Sequence, residues 1–490
     1  MKIYCGIDNG TQSTKVLLYD SVEKKVLAIA QAPHDLIKKS DGTREQLASW
    51  WQDALVSCFS QLDPKLKAQI KGIGVSGQQH GFVPMDAQGN VLAPVKLWCD
   101  TSTQAQCDEI TERIGGAQKL IDLMGNEVKV GYTASKILAL KENCPELYSK
   151  MEKVLLPHDW LNFLLTGEYT MEWGDASGTA LLDVRTRTWC RPVLDAIDPY
   201  RDWDCTLPKL VERQAGKTCR KAAELLGIPE GVPVSQGGGD NMMSAIGTGT
   251  VKGGTLTMSL GTSGTLFGSS DVPVVDNEGR LAAFCSSAGN WLPLLCTMNC
   301  TVSSELTRNL LNLGVKELNE LAAKAPIGAE GVRMLPFFNG ERTPNYPHGK
   351  GTVFGLDGSN FSRENLCRAA MESSIFAMRY GLDAFTELGF KADSLTLIGG
   401  GSNSALWRQM ASDICNLPTR VPVVSEAAAF GGALQAMALV ENRDLAEICE
   451  EHVAFKDDTI CNPDADAVDK YREVYASWNA LVGFVEPLYK

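Results

Sequence analysis

Short apolar alternations that end in turns rich in glycine and hydroxyl residues are the main pattern of this chain. Apolar residues alternate over 3–7, a polar turn follows at 8–15, and 16–19 is apolar again. The same arrangement returns at 256–267, with the turn Ser-Leu-Gly-Thr-Ser-Gly-Thr. Alternation at period two predicts strands, so each segment predicts a strand, a turn and a second strand. The repetition predicts two related domains that hold one ligand between them.

Strand-like and helix-like segments alternate in both halves of the chain. Helical spacing predicts helices, and short apolar runs predict strands. The predicted helices are 46–62, 134–143, 161–165, 240–247, 406–415 and 427–439, and the predicted strands include 70–75, 232–236 and 395–398. In the last of these helices, Gly431 and Gly432 would allow a neighbouring element to approach closely. This alternation predicts an α/β fold with substantially parallel sheets. Since no long linker is present, we expect closely coupled domains over 1–247 and 248–490.

Composition narrows the class of protein. A chain of 490 residues exceeds what one core usually supports, which agrees with two domains. The net charge of −13 argues against nucleic acid and membrane surfaces as partners. The first strand begins directly after the start, so we expect no signal peptide. The 15 scattered cysteines and 5 histidines indicate reduced thiols of a cytoplasmic protein rather than a zinc site.

The two glycine and hydroxyl turns are candidate phosphate sites. A glycine there can adopt positive φ, so that successive backbone N–H groups face one point. The sequence has neither a Gly-x4-Gly-Lys-Ser/Thr loop nor an N-terminal Gly-x-Gly-x-x-Gly motif, so a nucleotide would be held differently. Asp8 could hold Mg²⁺ through water, or could stabilise its own turn. Lys15 could reach a phosphate, or could be a solvated strand residue.

Asp240 follows a short strand and the glycines 237–239, and it opens a predicted helix. One interpretation is an N-cap. The other is a carboxylate at the carboxyl end of a strand, where α/β folds bind ligands, with the glycines letting substrate approach the backbone. In that position the positive helix end would keep Asp240 ionised and make it a weak base.

Other polar turns are candidates for binding a hydroxyl-rich ligand. The turn 78–81, with His80, offers dense hydrogen-bonding groups, and Asp100 and Asp175 are similar candidates. Each could instead stabilise its own loop. The glycines at 399–401 could form a flat wall for an adenine ring. The loop 340–344 could line a cleft, although a local ion pair is the favoured interpretation.

Taken in order, these motifs resemble the FGGY family of carbohydrate kinases, and within it the xylulokinase subgroup. The resemblance runs from about residue 3 to about residue 440, in the segments 8–15, 77–81, 237–241, 259–264, 340–344, 351–372 and 398–401. It implies two actin-like, ribonuclease H-like domains with a cleft between them, as in the sugar kinase/actin/Hsp70 superfamily. The N-terminal domain would bind sugar and supply the base, and the C-terminal domain would bind nucleotide.

The resemblance also implies residue roles. Asp240 would be the catalytic base, Asp8 would lie near Mg²⁺, and ATP would be the phosphoryl donor. Sugar contacts would come from Gln79, His80 and Asn241, with Asp100 and Asp175 as further candidates. The nucleotide would be held by Thr11, Gln12, Ser13, Lys15, Gly261, Thr262, Ser263, Gly400, Gly401 and Asn403.

The implied reaction is transfer of the γ-phosphoryl group of MgATP to a ketopentose, with D-xylulose at O5 as the expected acceptor. The stretch Trp98-Cys99-Asp100-Thr101-Ser102 lacks an arginine that many bacterial xylulokinases carry there. Another ketose, a polyol or a sugar acid such as gluconate therefore stays open as acceptor. A chaperone-like ATPase of the same superfamily is disfavoured by the polar turn at 78–80. A homodimer is compatible with the sequence.

Overall fold

The computed structural model describes residues 1–489 and divides them between two mixed sheets with flanking helices. Up to residue 247 the strands are β1 (Ile3–Asn9), β2 (Ser13–Asp20), β3 (Lys25–Pro33), β4 (Ile37–Lys38), β5 (Arg44–Gln46), β6 (Ile70–Gly77), β7 (Val83–Met85), β8 (Val95–Lys96), β9 (Lys153–Leu155), β10 (Thr170–Met171), β11 (Leu182–Asp183), β12 (Thr188–Trp189), β13 (Lys209–Leu210), β14 (Gln214–Lys217), β15 (Pro233–Ser235) and β16 (Gly238–Gly239). The helices of this half are α1 (Ala48–Ser60), α2 (Pro64–Lys67), α3 (Gln104–Ile114), α4 (Ala117–Met124), α5 (Thr133–Asn143), α6 (Pro145–Lys150), α7 (Pro157–Thr166), α8 (Trp173–Ala176), α9 (Arg191–Ile197), α10 (Trp203–Thr206), α11 (Arg220–Leu226) and α12 (Asp240–Gly247).

The second half continues with fewer strands and longer helices. Its strands are β17 (Thr255–Leu260), β18 (Gly264–Gly268), β19 (Leu294–Thr297), β20 (Arg333–Pro336), β21 (Gly351–Phe354), β22 (Ser394–Ile398) and β23 (Thr419–Arg420). Its helices are α13 (Val302–Leu310), α14 (Val315–Lys324), α15 (Arg363–Glu387), α16 (Ala405–Cys415), α17 (Ala427–Glu441), α18 (Leu445–His452) and α19 (Ala465–Tyr489). Short 3₁₀ turns lie at Ser177–Thr179, Ala329–Gly331, Gly400–Asn403 and Asp457–Thr459.

The two main sheets repeat one topology, as the sequence predicted. The first runs β14-β15-β6-β1-β2-β3, and the second runs β19-β18-β17-β22-β23. In each, an antiparallel hairpin pair (β1–β2, β17–β18) is extended by a third antiparallel strand, and the first hairpin strand pairs in parallel with a later strand. The sheets are therefore mixed. The prediction of substantially parallel sheets holds for β15-β6-β1 and β17-β22-β23, which pair in parallel, but not for the hairpins that carry the turns, because hairpin strands are antiparallel.

Strand β1 is buried on both faces, and its side chains point alternately into two different layers of the core. Ile3, Cys5 and Ile7 pack into the core that also contains α1. Tyr4 points the other way, into the cluster formed by α17. Period-two alternation thus separates the two layers that sandwich the first sheet.

Helix α17 comes from the second half of the chain and packs against the first sheet and against α12. The approach is backbone to backbone: a Cβ on Gly6 would lie 1.7 Å from the Ala429 carbonyl oxygen, and one on Gly74 would lie 2.1 Å from that of Gly432. On the opposite side, a Cβ on Gly431 would lie 1.9 Å from the Met243 carbonyl oxygen of α12. The expectation that Gly431 and Gly432 allow close packing is confirmed.

The C-terminal helix α19 completes the core of the second half. Tyr471, Trp478 and Val482 are buried in the cluster formed around the second sheet. The Trp478 indole N–H donates to the Met334 carbonyl at 2.9 Å, and the Tyr346 hydroxyl donates to the Val482 carbonyl at 3.2 Å. The segment that the family resemblance left unmatched is thus an integral structural element that supports the loop around Tyr346.

Gly431→Ala is expected to destabilise the protein by about 1–3 kcal/mol or more, because the added methyl group overlaps the α12 backbone. Denaturant unfolding monitored by circular dichroism measures the effect. The matched control is Gly483→Ala in α19, where nothing lies within 4 Å of the new Cβ. That control should be neutral or stabilising, because alanine favours helix more than glycine does. Equal stability of the two variants would contradict the close packing.

Candidate active site

A cavity of about 220 Å³ lies between the two sheets, at the tips of both hairpins. Six of the residues singled out from the sequence line it: Thr11, Gln79, His80, Asp240, Asn241 and Ser263. Others that line it were not singled out as site residues, among them Trp98, Tyr132, Phe284, Cys296 and Arg342. The cavity is therefore bounded by segments from both halves of the chain, which no local sequence pattern connects.

Both candidate phosphate turns form the predicted hairpins. Asn9 pairs with Thr14 across the first turn, and Leu260 pairs with Gly264 across the second. Positive φ is absent from Gly10 and Gly261, so that part of the expectation was wrong. A Cβ on Gly10 would meet only the Ser13 carbonyl oxygen, at 3.5 Å. The glycine leaves its backbone open to approach by a ligand rather than permitting a left-handed turn.

Gln46 holds the first hairpin tip in place, although no sequence signal indicated this role. Its buried amide nitrogen donates to the carbonyls of Thr11 and Asp35, both at 2.8 Å. Its oxygen accepts from the Gln78 amide at 2.8 Å and from the Trp51 indole at 2.9 Å. The residue was predicted as the start of a helix. It instead ends β5, and α1 begins two residues later.

Asp240 is the first residue of α12, and Gly239 occupies the N-cap position, so the N-cap interpretation was wrong by one residue. Its Oδ1 accepts from the Asn241 backbone N–H at 2.8 Å. Burial, together with the nearby carboxylates of Asp8 and Asp175, raises the pKa of Asp240 to about 7. The predicted weak base is therefore wrong: desolvation and like charges outweigh the helix dipole.

The glycines before Asp240 serve the protein's own packing. A Cβ on Gly238 would lie 2.2 Å from the Ser287 hydroxyl, and one on Gly239 would lie 2.6 Å from the Gln79 side chain. Gly237 has φ of 78°, which favours glycine. The expectation that these glycines admit substrate is not supported, because protein atoms fill the space.

Gln79 and Asn241 connect the polar turn after β6 with the start of α12. The Asn241 side-chain amide donates to the Gln79 Oε1 at 2.8 Å and to the Asp240 Oδ1 at 3.0 Å. The Gln79 amide nitrogen is buried and has no hydrogen-bond partner within residues 1–489. It is therefore a donor available to a ligand in the cavity.

His80 adopts φ of 63°, a left-handed conformation that is uncommon outside glycine. The Lys136 ammonium fixes this backbone by donating to the His80 carbonyl at 2.6 Å. The imidazole packs against Tyr132, with ring centroids 4.7 Å apart, and against Phe284. Burial, with Lys136 and Arg342 nearby, holds the pKa of His80 well below its usual value. A neutral imidazole in such a place is a hydrogen-bonding group rather than a charge.

Asp175 lies beneath the cavity rather than on its wall. Its Oδ2 is 2.9 Å from the His158 Nδ1, and Asp159 lies 2.9 Å from the other ring nitrogen. Burial alone would lower the pKa of His158, but the two carboxylates raise it well above its usual value. Asp175 therefore neutralises a buried imidazolium, and a direct sugar contact is not part of this geometry.

Asp100 is likewise occupied by its own loop. One carboxylate oxygen accepts from the Arg44 backbone N–H at 2.7 Å, and the other accepts from the Ser102 hydroxyl at 2.6 Å. The side chain is fully buried and does not line the cavity. Of the two interpretations of Asp100, the loop-stabilising one describes its observed contacts.

Asp8 lies at the end of β1, beside the cavity. It accepts from the Ser76 hydroxyl at 2.9 Å, and burial raises its pKa to about 6. Lys15 forms an ion pair with Glu426 at 2.5 Å, so its charge is already balanced by a residue just before α17. Within residues 1–489, no group of three or more histidine, cysteine, aspartate or glutamate side chains could hold a metal ion.

The remaining nucleotide candidates lie in turns that follow strands of both main sheets. Gln12, Ser13 and Thr262 are hairpin-tip residues beside the cavity, and Gly400, Gly401 and Asn403 form the 3₁₀ turn after β22. A Cβ on Gly400 would meet nothing within 4 Å, which leaves a flat backbone surface, whereas Gly401 packs on Leu260 and Trp407.

The loop 340–344 lines the cavity, so the favoured interpretation of a local ion pair was wrong. Glu341 is buried and accepts from the Met298 N–H at 2.6 Å and from the Arg342 N–H at 2.8 Å. Burial raises its pKa to about 7. The Arg342 side chain turns away from Glu341 and reaches the cavity, with Thr343 beside it.

Comparisons with known proteins point to the same kind of protein over nearly the whole chain. Residues 3–247 match the N-terminal domain, and residues 256–440 the C-terminal domain, of the FGGY family of carbohydrate kinases. A xylulose kinase of Haemophilus influenzae is 45% identical over 96% of this chain and 98% of its own length. The crystal structure of a xyloylose kinase from Brucella ovis, 30% identical, superposes with a TM-score of 0.93 over 99% of this chain and 100% of that one. A xylulose kinase structure from Bifidobacterium adolescentis has 28% identity and a TM-score of 0.83, covering 96% and 99%.

No helix within residues 1–489 is long and apolar enough to cross a membrane.

Asp240→Asn is expected to increase the free energy of unfolding more at pH 8 than at pH 5. The pKa of about 7 in the folded protein exceeds the ordinary value of 3.8, so the folded state binds the proton more tightly than the unfolded chain does. The stability that this tighter proton binding contributes is fully present below pH 3.8 and is lost as the pH rises through about 7. The amide avoids that loss, because it carries no charge.

Denaturant unfolding with EDTA present, at pH 5, 6 and 8, measures this difference for wild type and variant. Asp469→Asn is the matched control, since Asp469 is exposed on α19 and should show no such dependence. An increase of the same size at every pH would contradict the raised pKa of Asp240.

Proposed function

The chain belongs to the FGGY family of carbohydrate kinases, and on that premise we propose that it phosphorylates D-xylulose to D-xylulose 5-phosphate. The enzyme is a phosphotransferase that acts on a sugar hydroxyl, with ATP as the donor. The named relatives that align over nearly the whole chain support D-xylulose as acceptor. The single observation that carries the mechanism is a carboxylate with a pKa of about 7 in a cavity between two hairpin tips.

Asp240 orients the terminal hydroxyl of the sugar and accepts its proton. A pKa of about 7 suits this role near neutral pH, where the carboxylate is available as a base and still has affinity for the proton. Phosphoryl transfer passes through a loose transition state, so the positioning of the hydroxyl contributes more than its early deprotonation. Asn241 and Gln79 hold the carboxylate in orientation.

The sugar occupies the part of the cavity nearest β6 and α5. The free Gln79 amide and the neutral His80 imidazole provide hydrogen bonds to its hydroxyls. Tyr132 and Phe284 provide an aromatic wall for its carbon skeleton. We assign Asp100 and Asp175 to the support of this pocket rather than to sugar contacts, because neither lines the cavity. Both Asp100 oxygens accept hydrogen bonds from its own loop region, and the Asp175 Oδ2 pairs with His158.

ATP is held between the hairpin turns 10–13 and 261–263, with the turn 400–403 near the adenine. Asp8 fits a water-mediated Mg²⁺, since one or two carboxylates suffice for an ion that keeps most of its waters. When bound with ATP, the ion supplies positive charge to the phosphates. On this assignment residues 1–247 form the sugar domain and 248–490 the nucleotide domain, with α17 packed across both.

An acceptor panel in a coupled ADP-release assay tests the proposed function. D-xylulose should give the highest kcat/KM among D-xylulose, D-ribulose, L-ribulose, glycerol and D-gluconate, and product analysis should place the phosphate on O5. Without acceptor, ATP turnover should be low. A preference for gluconate or ribulose would overturn the choice of sugar, and acceptor-independent turnover would overturn the kinase mechanism.

Asp240→Asn is expected to lower kcat by roughly 10²-fold or more, because it removes the proton acceptor. Calorimetric titration with MgADP should give an affinity close to that of wild type, since the amide preserves the shape of the cavity. Retention of more than about a tenth of the rate would contradict the assignment of Asp240 as base.

A further inference from the structure

Arg342 is a cation of the cavity wall that no carboxylate neutralises within residues 1–489. The cavity has two other permanent cations. Arg280 is paired with Asp276, Glu278 and Glu387, and Lys129 is 3.2 Å from Glu127. Among the described residues, the Cys296 thiol is a hydrogen-bonding neighbour of the Arg342 side chain. A partly buried guanidinium without an anion is costly unless a ligand supplies one.

The backbone that carries Arg342 is held rigidly on every side. The Glu341 carboxylate accepts from Met298, Asn299 and the Arg342 N–H, at 2.6, 3.0 and 2.8 Å. The Asn299 amide also donates to the Gly340 carbonyl at 2.7 Å. Glu341 and Tyr346 exchange backbone hydrogen bonds, and the Tyr346 hydroxyl reaches α19. The loop thus fixes the base of a side chain whose charged end is left free.

The position of Arg342 places this charge where phosphoryl transfer would occur. It lines the same cavity as Asp240 and as the second hairpin residues Ser259, Ser263 and Thr265. It lies near His80 and beside the Cys296 thiol, which line the same cavity. Arg342 is therefore a cation from the second half of the chain in the cavity that contains Asp240.

We propose that the Arg342 guanidinium binds the phosphoryl group during transfer and, afterwards, the phosphate monoester of the product. This rests on the proposed function. In the transfer, the sugar oxygen forms a bond to the γ-phosphorus while the bond from that phosphorus to the bridging oxygen of ADP breaks, with its electron pair staying on ADP. The hydroxyl proton goes to Asp240. The negative charge on the equatorial oxygens meets Arg342, whose planar fork suits phosphate.

A sugar contact is the competing role, and the pair D-xylulose and D-xylulose 5-phosphate separates the two. The test titrates wild type and Arg342→Gln with each compound in a calorimeter. We expect the variant to bind D-xylulose 5-phosphate about 10- to 100-fold more weakly, the loss of a charge-assisted bond. D-xylulose affinity should change by less than about threefold, and kcat should fall about 10²- to 10³-fold. Unchanged D-xylulose binding also shows that the variant is folded.

Further variants exclude indirect effects. Arg342→Lys keeps the charge but loses the fork, and should recover part of the product affinity. Lys129→Gln removes a paired cation from the same cavity and should weaken product binding by less than about threefold. Arg472→Gln, an exposed site on α19, should leave both affinities and kcat unchanged. Equal losses for sugar and sugar phosphate in Arg342→Gln would overturn the proposal, and so would no loss for either.

The acceptor panel keeps this test independent of the sugar's identity. If wild type uses another acceptor, the proposed function fails, and the same comparison is made with that acceptor and its phosphate monoester. A selective loss of the monoester would still support Arg342 as the phosphoryl contact, and its absence would overturn it.

Discussion

Backbone contact between α17, the first sheet and α12 is the constraint on which the site depends. Five glycines make it possible, because any side chain there would overlap a carbonyl group: Gly6, Gly74, Gly247, Gly431 and Gly432. The helix that begins with Asp240 is thereby fixed against a helix from the second half of the chain. The Gln435 Oε1 of α17 accepts hydrogen bonds from the Ser235 hydroxyl at 2.7 Å and from the Gly237 N–H at 2.9 Å, a few residues before Asp240. The position of the base is thus set by both halves of the chain.

Burial of like charges gives the site its chemical character. Burial raises the pKa of Asp8 to about 6, and burial together with Asp8 and Asp175 raises the pKa of Asp240 to about 7. His158 lies between the Asp159 and Asp175 carboxylates, so its charge offsets only part of theirs. The negative charge that remains near the cavity favours cations and disfavours bare phosphate. On the proposed function, a cation of the cavity wall such as Arg342 offsets this charge, since transferred phosphate needs positive charge on approach.

Buried contacts outside the cavity hold the residues of its walls in fixed positions. Gln46 holds the first hairpin tip, Lys136 holds the backbone of His80, and α19 supports the loop that carries Arg342. Each support is buried and fully engaged, whereas the groups that face the cavity keep free hydrogen-bonding capacity. A fixed backbone that carries polar side chains with unused hydrogen-bonding groups is the arrangement that a preorganised active site requires.

The sequence by itself determined the two hairpins, the helix starting at Asp240, the glycine contacts of α17 and the family, because each is encoded in short-range pattern or ordered motifs. Tertiary structure decided which polar residues reach the cavity. Asp100 and Asp175 look like Asp240 in sequence, yet the first two are paired with their own surroundings. The raised pKa of Asp240 was likewise inaccessible to pattern, and the sequence left open whether the loop that carries Arg342 lines the cavity. Desolvation and charge pairing depend on tertiary neighbours, such as Asp8 for Asp240, whereas sequence periodicity reports only on residues within a few turns.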